Sequence, residues 1–114
     1  MAVTVNTTNN SQSVVNLATF KLTTDAATAA AYTLSVGFVP RHVKIVNITD
    51  VLIDEWHDGM AANTALHQVG STGVVTSTTG ITVNSPANDG SGNSITFTAA
   101  IMIASKVFHV LVEG

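Results

Sequence analysis

Apolar and polar residues alternate over short stretches along most of the chain. A period of two puts successive side chains on opposite faces, which is the pattern of a strand buried on one side. Residues 14–22 show it, with Val15, Leu17 and Thr19 set against Asn16, Ala18 and Phe20. Residues 29–36 predict a second strand ending at Gly37. Residues 41–49 predict a third, with Val43, Ile45 and Asn47 on one face and Lys44, Val46 and Ile48 on the other. Residues 51–57 predict a fourth. Only a short polar turn at Asp50 separates it from the third, so the two form a hairpin. Asp58-Gly59 closes it with a strong turn signal.

Beyond that turn the pattern weakens. Residues 60–68 fit either one short helix or an irregular crossing loop. Residues 73–79 and 81–84 read as strands on either side of Gly80. Residues 85–92 read as a long turn containing Pro86, Asp89-Gly90 and Gly92. Residues 94–103 alternate again. Residues 106–113 set Val107, His109 and Leu111 against Phe108, Val110 and Val112. Apolar residues on both faces predict a strand buried on both sides, central in a sheet or at a subunit interface, with His109 hydrogen-bonded there. Residues 1–13 are rich in Thr, Asn and Ser and predict a flexible arm, or one ordered only by adding as a strand to a neighbour. The expected architecture is all-β: one domain over residues 14–114, a β-sandwich or jelly-roll-like small barrel of about seven or eight short strands.

Composition narrows the possible partners. The chain has 114 residues, the size of one domain. Size scaling gives such a chain roughly 5,900 Å² of folded surface, enough for one modest core. Charged residues make up 10% of it, with a net charge of −3, where about 25% is usual. A surface of Thr, Ser, Asn, Ala and Gly has little repulsion to keep copies apart, which favours association. The basic residues are Lys21, Arg41, Lys44 and Lys106, too few and too scattered to neutralise a phosphate backbone, so nucleic acid is not an expected partner. No apolar run approaches the ~20 residues of a membrane span. Cysteine is absent, and the first residues lack a basic-plus-apolar signal pattern, so synthesis in a cytoplasm is expected.

The densest group of reactive side chains is Asp54-Glu55-Trp56-His57-Asp58. Alternation puts Glu55 and His57 on one face, where they could share a metal or act as an acid–base pair. A metal site needs three or four converging donors, and no spaced motif supplies them. No Ser lies in a nucleophile-elbow context, and Gly90-Ser91-Gly92 lacks the strand–loop–helix frame of a phosphate loop. The expectation is therefore no catalytic residues, no cofactor and no metal.

Gly37-Phe38-Val39-Pro40-Arg41-His42-Val43-Lys44-Ile45-Val46-Asn47, then Thr49-Asp50, then Glu55-Trp56-His57-Asp58-Gly59-Met60-Ala61-Ala62, resembles a group of small tailed-bacteriophage virion proteins. The resemblance extends to the Gly80-Ile81-Thr82-Val83 strand and the closing Glu113-Gly114, and it departs at His57, where an aromatic is expected. It implies a capsid decoration (cement) protein on the virion surface. Such a protein would bind the major capsid protein and its own copies, as a homo-oligomer, with a trimer as the expected form. The contact candidates are Arg41, Trp56, His57 and Met60. The alternative it implies is a tail, neck or fibre component with a receptor- or carbohydrate-binding, lectin-like role near Trp56.

Overall fold

The computed structural model describes residues 2–11, 17–69, 72–84 and 93–114, with side chains described for all of these except 6–11 and 72–79. The long turn expected over 85–92 lies outside the described residues. The strands are β1 (Val3–Ser11), β2 (Leu17–Thr24), β3 (Tyr32–Ser35), β4 (His42–Asn47), β5 (Leu52–His57), β6 (Thr64–Val69), β7 (Thr72–Asn84), β8 (Ser94–Phe97) and β9 (Val107–Glu113). They form one antiparallel sheet in the order β1-β2-β9-β4-β5-β6-β7-β8-β3, curled into a half-barrel. The all-β expectation holds, with a single curled sheet of nine strands among the described residues.

The curl is what gives a single sheet a core. Each strand sends alternate side chains to the concave face: Ala18, Phe20 and Leu22 from β2, Phe108, Val110 and Val112 from β9, Val43 and Ile45 from β4. Trp56, Ala65, Ile81, Ile95, Phe97 and Leu34 continue this layer around the sheet. The accessible surface is 5905 Å², the value expected for a self-contained monomer of this mass.

Four sequence expectations need correction. Residues 3–11, expected as an arm, form edge strand β1 on the chain's own β2, with a bulge between Thr7 and Asn9. Its start is held by the Ala2 N–H donating to Asp25 Oδ2 at 3.0 Å. Residues 64–69 form strand β6, where a helix or a loop was expected. The strand expected over 94–103 stops at Phe97. The N–H groups of Ile101 and Met102 both donate to the Thr98 carbonyl, and this turn drops the two side chains into the core. Finally, β9 is central, between β2 and β4, but only one of its faces is fully covered, and His109 is exposed.

The β4–β5 hairpin forms in register, His42 opposite His57 and Asn47 opposite Leu52. Its tip is held from several sides. Asn47 Oδ1 accepts from the Asp50 N–H at 3.0 Å, and Lys106 Nζ donates to Asp50 Oδ1 at 3.1 Å. The Val107 N–H donates to Thr49 Oγ1 at 3.1 Å. This support holds Val51 at φ 58°, a left-handed conformation that is strained for a β-branched residue. Its side chain is 68% exposed and so gains little from burial in return. The left-handed region costs a non-glycine residue roughly 1–2 kcal/mol, while glycine adds about 0.5–1 kcal/mol of chain entropy. Val51→Gly is therefore expected to stabilise the fold by up to about 1 kcal/mol, read as a higher urea midpoint at unchanged slope.

Candidate functional site

One end of the sheet gathers the titratable side chains. Alternation places His42 of β4, Glu55 and His57 of β5, and Glu113 of β9 on the convex face, opposite the core. Register then lines up three of them: His42 lies across from His57 on one side and from Glu113 on the other. The His42 and His57 rings stack, with centroids 4.6 Å apart and planes 17° from parallel.

His42 is held between two carboxylates. Its Nδ1 lies 2.8 Å from Glu113 Oε1, and its Nε2 lies 3.2 Å from Glu55 Oε2. An ionised carboxylate only accepts, so both ring nitrogens donate. Glu55 Oε2 also lies 3.4 Å from His57 Nε2. Partial burial on its own would lower the pKa of His42. The hydrogen bonds to Glu113 and Glu55 outweigh that and raise it above the ordinary 6.5.

The raised pKa means that the fold favours protonated His42. The stability this contributes is complete below about pH 6.5 and is lost as pH rises through the folded value. Glu113→Gln is expected to lower the His42 pKa, measured as the pH midpoint of its ring proton shifts by NMR. An unchanged midpoint would show that Glu113 does not hold the ring.

A second pair lies on the concave side. His67 Nδ1 of β6 and Asp54 Oδ1 of β5 are 2.7 Å apart. Burial pushes the Asp54 carboxyl above the usual carboxylate range, and the His67 hydrogen bond offsets only part of the shift.

The contact candidates are placed differently from one another. Arg41 is exposed, and its guanidinium pairs with Asp58 at 3.1 Å. His57 is exposed and belongs to the convex cluster. Met60 is half-buried against the core, and its sulfur accepts from the His57 N–H at 3.3 Å. Trp56 is 7% exposed, and its indole N–H donates to the Ala61 carbonyl at 3.4 Å. Its ring faces the core and offers no surface for sugar stacking or for a partner.

Sequence reasoning paired Glu55 with His57 and stopped for want of a third donor. The missing members, His42 and Glu113, come from β4 and from the far end of the chain. His42 opposite His57 follows once the hairpin register is fixed. No local signal marks Glu113.

No protein-family model matches the chain, and no curated protein or solved structure is significantly similar to it.

Proposed function

We propose that this chain is a non-enzymatic structural protein of a tailed-phage particle, a decoration protein bound to the outer surface of the major capsid protein lattice as a homo-oligomer, with a trimer as the working stoichiometry. The observation that carries this reading is the free edge of β1. Its nine residues, VTVNTTNNS, contain no charged residue and no proline. Among the described residues it pairs with β2 on one side and ends the sheet on the other. Exposed edges are usually guarded by charge, proline or short length. Apart from its bulge, β1 has none of these, and no described strand covers its outer edge, which offers backbone donors and acceptors to a strand from a neighbour.

Two features support the same reading. Charge is scarce over the whole chain, at 10%. At the sheet end away from His42, the apolar residues Ile48 and Val51 on the β4–β5 turn and Val69 at the end of β6 are exposed. Each contact can be weak, because many copies on one closed shell add avidity. The lectin-like alternative loses its main support with Trp56 buried.

The test is co-sedimentation of the purified chain with capsid shells that lack it. The wild-type chain is expected to pellet with the shells. A Thr4→Lys/Asn6→Lys variant, which places charge on the open edge, is expected to stay in the supernatant while melting at the wild-type temperature. Equal pelleting of the variant would remove the edge from the account.

A further inference from the structure

We propose that His42, Glu55 and His57 form a binding site for a divalent transition-metal ion of the zinc class, with Glu113 as its positioning residue. The three donor atoms are contributed by two adjacent strands, and all lie within 4.8 Å of one another. Zinc bonds of about 2.0–2.2 Å in tetrahedral geometry put neighbouring donors about 3.3–3.5 Å apart. Glu55 Oε2 already stands 3.2 Å from His42 Nε2 and 3.4 Å from His57 Nε2. Two edges of the tetrahedron are thus in place; the two imidazoles, stacked 17° from parallel, turn out of the stack to aim both Nε2 lone pairs at one ion.

Glu113 supplies what isolated surface histidines lack. A metal-bound imidazole commonly donates its other N–H to a carboxylate, which fixes the ring and raises its basicity. His42 Nδ1 meets Glu113 Oε1 at 2.8 Å, so Nε2 is the nitrogen turned toward Glu55 and His57. The nearby Arg41 cation is paired with Asp58. When the ion binds, it replaces the proton that His42 Nε2 donates to Glu55, and this proton passes to solvent. His57 is exposed, so the fourth coordination position is open to water. Two imidazoles and one carboxylate select zinc-class ions over magnesium or calcium, which favour all-oxygen sites.

The site is independent of the virion reading and stands or falls on its own measurement. Metal-stripped, tag-free, full-length protein is titrated with zinc by calorimetry, and the histidine ring signals are followed by NMR. One ion per chain is expected, with His42 and His57 shifting together and magnesium failing to compete. Glu113→Gln is expected to weaken zinc affinity by about 10–100-fold, and Glu113→Asp to restore part of it. His57→Gln, an exposed substitution that keeps the fold, is expected to abolish the site, while His109→Ala on the same face leaves it intact. The absence of zinc binding at millimolar concentration would overturn the proposal. So would unchanged affinity in both His57→Gln and Glu113→Gln.

Discussion

Phe108→Ala is expected to destabilise the protein by about 4 kcal/mol, the middle of the range for deleting a buried phenylalanine side chain. Phe108 is fully buried on β9, the strand that joins β2 to β4 at the middle of the sheet. It pairs with Leu22 on one side and Asn47 on the other, so the cavity opens where neighbouring strands are least free to close in. A loss this large is a substantial part of the ~5–15 kcal/mol that holds a typical domain together. It is read as a lower urea midpoint at unchanged slope. The adjacent His109 provides the internal control. It points away from the core and is exposed, so His109→Ala is expected to change stability by no more than about 0.5 kcal/mol. Because strand side chains alternate, a one-residue error in the register of β9 would exchange the two results.

Gly80→Ala is expected to cost about 3 kcal/mol, at the upper end for overpacking. A β-carbon there would lie 2.2 Å from the Thr64 carbonyl carbon, 2.5 Å from its oxygen and 2.6 Å from the Ala65 nitrogen. These are backbone atoms of the paired strand, so no side chain can swing aside to make room. The register explains the close approach. Thr64 pairs with Ile81 but the next residue, Ala65, pairs with Thr76, so β7 bulges out between them with Gly80 at its base. The Gly80 N–H also donates to the Asn63 carbonyl at 3.2 Å, which holds the two backbones together. Gly37→Ala is the comparison: a β-carbon there meets nothing within 4 Å, and the change is expected to be nearly neutral. A Gly80→Ala variant as stable as the wild type would show that the β6–β7 bulge does not have this geometry.

The parts of the fold legible in the sequence are those where alternation and turn chemistry agree. Val43, Ile45 and Asn47 of β4 alternate cleanly, Asp54 and Trp56 share one face of β5, and Asp58-Gly59 ends the hairpin with Gly59 at φ 102°. Strand β6 was hidden because its pattern is inverted. Its inward positions carry Ala65 and His67, while Leu66 faces outward and Val69 is exposed at the strand end. The Asp54–His67 pair that makes His67 acceptable on the concave face is visible only once β5 and β6 are side by side. Residues 98–103 misled in the opposite sense. Ile101 and Ile103 continue an apolar alternation, but Ile101 is buried by a turn and not by a strand. Strand β1 read as an arm because its Thr and Asn content suggests solvation, whereas an edge strand needs only backbone partners along one side.

The candidate site was half legible for a related reason. Glu55 and His57 are two residues apart on one strand, a spacing that guarantees a shared face. His42 and Glu113 join them through strand pairing, and the β4–β9 register depends on where the chain returns after β8. Spacing along the chain carries no record of that return. Strand parity turns Trp56 inward and His57 outward on β5, while Arg41 and Met60 lie just outside the strands, where parity does not apply.

The central claim is that this chain is an assembly component that binds its neighbours through the free β1 edge. Electron microscopy of the purified virion encoded with it, at a resolution that traces side chains, tests that claim most directly. The account predicts nine-strand sheets at regular positions on the capsid exterior, with β1 against a strand of a neighbouring subunit. A particle that lacks the chain, or one in which β1 faces solvent in every copy, would contradict it.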